Sequence, residues 1–92
     1  MQREIEKYLV EFIGTTFFLY VIISTGNALA IGAALALAIF VGGSISGGNF
    51  NPAVSVMMIA AGKLKPNEGI CYIIAQLLGG MLALALYKHV KL

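Results

Sequence analysis

Residues 8–24, 28–43 and 67–87 are three apolar, helix-compatible stretches. Each is near the ~20 residues that cross a hydrocarbon core of ~30 Å at 1.5 Å per residue, and this constrains the chain more than any other feature. Of the 92 residues, 60% are hydrophobic and 11% charged, so the solvent to assume is the bilayer, and a water-soluble globular domain is not expected. Only Thr25, Gly26 and Asn27 join the first two stretches, which must therefore be antiparallel neighbours. Arg3 and Lys7 precede the first stretch, and Ala28, Leu29 and Ala30 look like a small-residue cleavage site. Glu11 interrupts that stretch and two more follow, so it is read as a retained span and not as a cleaved leader.

Between the second and third spans lies "SISGGNFNPAVS", residues 44–55. Gly47 and Gly48 permit backbone torsions closed to other residues. Asn51 is a favourable N-cap and Pro52 a favourable first helical residue, which starts a helix there. That helix has about ten residues before Gly62, Lys63, Leu64 and Lys65 stop it, a length of ~15 Å that cannot cross the bilayer. Residues 44–62 are thus expected to enter the membrane and leave on the same side. Non-helical backbone at that depth must be buried in protein or line a water-filled cavity, because lipid offers its N–H and C=O groups no partners. A broken helix with its positive end at the midplane discriminates between ions. The third span starts near Pro66, with Glu68 in its first turn, and ends at Lys88, His89 and Lys91.

The fold class expected is all-α: three transmembrane helices plus one half-helix, forming a single unit over residues 1–92. Three helices cannot wall a pore on all sides, so oligomerisation is expected. Small residues recur four apart along two adjoining stripes, Ala28, Gly32 and Ala36 beside Ala34, Ala38 and Gly42, and would let other helices approach closely. The remaining signals are negative. Cys71 is solitary and apolar in context, and so reads as packing; His89 reads as an interfacial residue; a net charge of +2 is too small to suggest nucleic acid. No nucleophile–base pair, metal-ligand cluster or phosphate-binding loop is visible, so neither an enzyme nor a metal or cofactor is expected.

"SGGNFNPAVS" resembles the first Asn-Pro-Ala loop of the major intrinsic protein family, the aquaporins and glycerol facilitators. "EFIGTTFF" is similar to that family's first helix and "AQLLGG" to its third, so the resemblance covers essentially the whole chain and corresponds to one of the family's two inverted repeats. It implies that Asn51 donates its side-chain amide to permeating molecules, with Pro52 and Ala53 holding facing half-helices tip to tip. It also implies that the carbonyls of Gly47, Gly48 and Asn49 form an acceptor ladder. Glu11 and Gln76 take scaffold roles beneath the loop by the same resemblance. Read from the residues alone, Glu11 could instead snorkel to the interface or act as a proton-coupled carboxylate, and Gln76 could make an ordinary interhelical hydrogen bond.

At the constriction the resemblance assigns Ile31, Gly48 and Val54, with neither the aromatic residue of water-selective relatives nor the arginine that follows the second repeat's Asn-Pro-Ala. Asn49 stands where the family often has His. A channel for water and small uncharged solutes such as glycerol is implied, completed by an antiparallel homodimer and, by the family's habit of clustering in fours, a tetramer of dimers. The partners expected are the lipid bilayer, a second copy and small neutral solutes, and the location is a cytoplasmic (plasma) membrane. Arg3, Lys7, Lys63 and Lys65 would lie at one face against Lys88 and Lys91 at the other, a weak bias compatible with insertion both ways. The alternatives are one half of a split channel, inert alone, and a dual-topology transporter using Glu11.

Overall fold

A computed structural model describes residues 2–90, which form four helices: α1 (Gln2–Thr25), α2 (Ala28–Ser46), α3 (Pro52–Ala60) and α4 (Pro66–His89). The first, second and fourth are long and apolar enough to cross a membrane. Helix α1 absorbs the charged residues before its apolar run without a break. Asn27 caps α2, its Oδ1 accepting from the Ala30 N–H at 2.9 Å, after Gly26 has turned the chain at φ 57°. Helix α2 continues three residues past its apolar run, so the break predicted from residue 44 begins only at Gly47. Gly47 takes the left-handed conformation (φ 91°) and donates its N–H to Gly43 O at 2.8 Å, closing the helix. Lys88 and His89 are in the last turn of α4, and Lys91, expected at the same end, lies outside the described residues.

Helix α1 is the centre of the fold, packing on α2 at one side and on α4 at the other, while α3 packs on α4. The nine residues of α3 span about 14 Å. Its far end returns beside the beginning of α4, where Ile59 covers Gly69. The chain therefore enters and leaves at the end of the bundle where α2 terminates.

In water a helix buries its apolar stripe, but lipid is as apolar as leucine, so here close approach and hydrogen bonding decide which face turns inward. Helix α2 buries Ala34, Ala38, Gly42 and Ser46, one residue per turn. Helix α4 buries Gly69, Tyr72, Ala75, Gln76, Gly79 and Ala83. Leu29, Phe40, Ile13, Leu77 and Met81 face outward. The second small stripe is not buried in the chain: Ala28, Gly32 and Ala36 are exposed, and a methyl added at Gly32 would meet nothing within 4 Å.

Gly79 sets the distance between α1 and α4, because a methyl there would lie 2.9 Å from Phe12 O and 3.1 Å from Thr15 Cβ, both within the body of α1. At the end where the chain re-emerges, Lys7 Nζ and Glu68 Oε2 pair at 3.6 Å and the rings of Tyr8 and Tyr72 meet edge to face at 5.9 Å. Gly79→Leu should thus separate the helices and lower stability by roughly 1–3 kcal/mol or more, as overpacking does. Gly32→Ala, in open space, should be neutral. Unfolding of both variants in mixed detergent micelles checks this.

Candidate functional site: the re-entrant loop and its carboxylate

The loop at residues 47–51 could not hold its shape by its own backbone ladder, and its donors converge on one side chain. Glu11, one turn before Thr15 on the buried face of α1, has no solvent exposure. Its Oε2 accepts from Ser46 Oγ at 2.7 Å and from the Asn49 N–H at 3.1 Å. Its Oε1 accepts from the Phe50 N–H and from Gln76 Nε2, both at 2.8 Å. Four donors fill the roughly four lone-pair positions of an ionised carboxylate. These bonds tie α1 to the end of α2, to the loop and to the middle of α4.

A second layer extends the network. Ser46 Oγ also accepts from the Gly48 N–H at 3.2 Å, and Ser46 O accepts from the Tyr72 hydroxyl at 2.6 Å, which fixes the C-terminus of α2 against α4. Ser55 Oγ accepts from Asn49 Nδ2 at 3.0 Å and from Gln76 Nε2 at 2.8 Å. Gln76 therefore spends both amide hydrogens, one on the carboxylate and one on α3. Gln76 is ten positions into α4, about 15 Å along its axis, so this bond sets the start of α3 near mid-depth. Gln76 Oε1 and Thr15 Oγ1 are buried without a hydrogen-bond partner among the described residues.

Phe50 has φ 54°, the left-handed region that is strained for a bulky residue. Two features hold it there. Its N–H is fixed by Glu11, and its ring, 1% exposed, fills the space over Gly14 of α1, where any side chain would collide with it, and touches Gly42 of α2, where an added methyl would instead collide with Val10. Gly48 (φ 69°) precedes it, with Ile39 close enough that a methyl at Gly48 would lie 3.3 Å from Ile39 Cγ1.

Asn51 follows in an extended conformation (φ −161°, ψ 124°) and caps α3, its Oδ1 accepting from the Ala53 N–H at 2.8 Å. That bond commits the oxygen and leaves Nδ2 as the outward-facing donor, since Asn51 is exposed. Pro52 follows in the first turn, half-buried, and Ala53 is exposed. The three residues 47–49 are not alike: Gly47 is exposed, Gly48 half-buried, and Asn49 buried with its side chain turned inward to Ser55. Ile31 and Val54 are half-buried; Val54 and Gly48 lie close to Asn51 in sequence, whereas Ile31 is on the first turn of α2.

Ser46, Ser55 and Tyr72 are not singled out by the reading of the sequence. Their signal was present: hydroxyls at membrane depth on both sides of the break, with Ser55 four residues after Asn51 and Tyr72 four before Gln76, each one turn along the same face. Among the described residues no group of three or more His, Cys, Asp or Glu could hold a metal ion.

Replacing Glu11 by Gln leaves one acceptor oxygen and aims an amide at groups that are themselves donors. With charge-assisted bonds worth ~1.5–3 kcal/mol each, Glu11→Gln should cost at least about 3 kcal/mol, and Ser55→Ala distinctly less. Thermal unfolding in detergent compares the two.

Comparison with known proteins bears on this geometry. The Major intrinsic protein family profile matches residues 2–92. "Glycerol uptake facilitator protein-like 6" of Lactiplantibacillus plantarum is 44% identical over 91 residues, 89% of this chain and 42% of that protein. "Aquaporin-8" of Rattus norvegicus is 41% identical over 98% of this chain and 38% of its own length. "Aquaporin Z" of Photorhabdus laumondii is 47% identical over 60 residues, 65% of this chain and 26% of that protein. The chain thus spans less than half the length of these relatives. No solved structure matches it. Matched by the profile across the four helices and the loop between α2 and α3, this integral membrane chain belongs to the major intrinsic protein family.

Proposed function

We propose that the chain forms half of a passive pore for water and small uncharged solutes such as glycerol, with Asn51 at the narrow centre. The observation that carries this is the position of the Asn51 amide: an outward-facing donor at the N-terminus of a half-helix, held near mid-depth by a saturated carboxylate. In this reading the amide orients a water or hydroxyl oxygen, and the positive end of α3 repels cations. The carbonyls of Gly47, Gly48 and Asn49 serve as acceptors along the wall. Ile31, Gly48 and Val54 line the constriction, Pro52 and Ala53 meet a facing half-helix, and Glu11 and Gln76 fix the loop without touching solute.

The wall opposite is the second part of the reading. Helix α3 packs on α4 but not on α2, which leaves Asn51, Ala53, Val56 and Met57 uncovered on one side. A second copy inserted upside down supplies a facing half-helix and closes the pore about a two-fold axis in the membrane plane; four such dimers match the family's clustering in fours. The bias of basic residues is weak and compatible with insertion both ways, with Arg3, Lys7, Lys63 and Lys65 at one end of the bundle against Lys88 at the other, where Lys91 follows in sequence. The plasma membrane is the proposed location.

Purified chain alone should make liposomes permeable to water and glycerol in stopped-flow swelling, without response to a proton gradient; no flux would show that another half is required. Ile31→Phe should suppress glycerol more than water. Asn51→Asp places a carboxylate where the barrier to cations is formed, and a fall of only 1.4 kcal/mol in that barrier raises leak about tenfold. Potassium-selective leak of the variant, measured against wild type, tests this. C-terminal reporter tags should be found on both sides of the membrane in comparable amounts, and a single orientation would rule out the antiparallel pair.

A further inference from the structure

The loop that follows α2 is held from two sides, and only one of them is the carboxylate. Gly47 donates its N–H to Gly43 O at 2.8 Å, Gly48 to Ser46 Oγ at 3.2 Å, and Asn49 and Phe50 to Glu11 at 3.1 and 2.8 Å. Among the described residues every peptide bond is trans, so each carbonyl points opposite to the N–H that follows it. The Gly48 and Asn49 carbonyls are therefore turned away from Glu11, and the Gly47 carbonyl away from Ser46. These bonds fix direction. How far the Gly48 carbonyl projects is decided by what lies behind its Cα.

Behind it is α2. A methyl built on Gly48 would lie 3.3 Å from Ile39 Cγ1 and 3.5 Å from both Ile39 Cα and Gly43 Cα, so the loop leans on two successive turns of that helix. Ile39 and Gly43 share one flank of α2, opposite to Leu37, Val41 and Ile45, which line a groove with α1. Gly43 brings no side chain to the contact. Ile39 supplies it, and with 43% of its surface exposed contributes little to the packing of α2 on α1.

We infer that Ile39 is a positioning residue of the proposed pore: it seats Gly48 from behind, sets how far that carbonyl stands out from α2, and thereby sets the preference between glycerol and water. The effect on permeation rests on the pore reading, whereas the contact itself does not. Glycerol fills more of a narrow passage than water and presents several hydroxyls to be met together, while a water molecule reorients freely. A displaced acceptor or a changed width therefore weighs on glycerol first. Without the Ile39 side chain the Gly48 peptide settles toward α2 and the passage widens. With a methyl on Gly48 the peptide is pushed off α2 and the passage narrows. The two changes oppose each other at one contact.

The test uses the whole chain in liposomes, with stopped-flow permeabilities to glycerol and water expressed as a ratio. Ile39→Ala should raise that ratio roughly two- to ten-fold, the factor that part or all of one hydrogen bond is worth. Gly48→Ala should lower it, and the double variant should return it toward wild type, which a loss of stability alone would not do. Ile39→Val keeps the Cγ1 contact and should restore most of the wild-type ratio. Leu37→Ala, a similar truncation on the opposite flank, should not move it. The seat is read independently of flux by solid-state NMR of the chain carrying isotope-labelled glycine in bilayers: Ile39→Ala should shift the Gly48 carbonyl resonance, and Leu37→Ala should not. Gly48 has φ 69°, so Gly48→Ala is strained whatever the space, and if it does not fold the Ile39 variants and the resonance decide. A conducting wild type whose ratio ignores Ile39→Ala would overturn the role of Ile39 and leave the pore standing. A wild type that passes neither solute would overturn the pore; the resonance then decides the seat alone, and an unmoved Gly48 carbonyl overturns it.

Discussion

The structure depends on one carboxylate that is fully occupied. An ionised side chain in a membrane helix costs about 2.5–3.5 kcal/mol at the helix centre on insertion scales, and more where nothing pairs it. Glu11 offsets this with four donors drawn from three separate parts of the chain, among them two backbone N–H groups of a loop that would otherwise face lipid unsatisfied. The arrangement is reciprocal. The loop is a poor structure without an acceptor, the carboxylate a poor residue without donors, and each removes the other's penalty. Gln76 extends the exchange to α3 by giving its second hydrogen to Ser55, so the position of the half-helix and the satisfaction of Glu11 become one condition.

Around this centre the usual logic of burial is inverted. The inward faces of the spans carry Ala, Gly, Ser, Gln and Glu, and the outward faces carry Leu, Ile and Phe. Glycine works here by removing matter: Gly79 admits the backbone of α1, Gly14 admits the ring of Phe50, and Gly42 admits the side chain of Val10. Each absence of a side chain is matched by one large group from a neighbouring element. The strain at Phe50, of order 1–3 kcal/mol for such a conformation, persists because its N–H and its ring are held from opposite directions.

This inversion explains what could be read from the residues and what could not. The three spans and the half-helix follow from apolar length, from Asn51 and Pro52 as a helix start, and from Gly62 as a stop. On α4 the buried residues Gly69, Tyr72, Gln76, Gly79 and Ala83 recur with alternating spacings of three and four, but the whole helix is apolar enough that no hydrophobic stripe marks them. A search for small and polar residues at that spacing would have found them. The end of α2 at Ser46 rather than Gly43 has a local signal in Gly47, which closes the helix in the left-handed conformation, and long-range partners fix it in place, Glu11 for the Ser46 hydroxyl and Tyr72 for its carbonyl. The rotation of Asn49 toward Ser55 is equally tertiary: its sequence context is that of an exposed loop residue, and only the neighbouring Gln76 and Ser55 show why it turns inward.

Rigidity of the loop and openness of the fold then have to be reconciled. Asn51 is fixed from behind, through Asn49 and Phe50 to Glu11 and through the α3 cap to Ala53, while its front, with Ala53, Val56 and Met57, is uncovered. A surface that is rigid on one side and open on the other is prepared for a counterpart, since docking against it does not require further ordering of the loop. If the counterpart is an inverted copy, every group at the junction appears twice about the axis. A single charge cannot then be placed there: Val54→Arg would set two guanidinium groups facing each other across one constriction, where repulsion acts at short range in a poorly screened space. The proposed pore of two identical halves would be held by symmetry to neutral, small or paired groups at its centre, and Ile31, Gly48 and Val54, the residues proposed for the constriction, meet that condition.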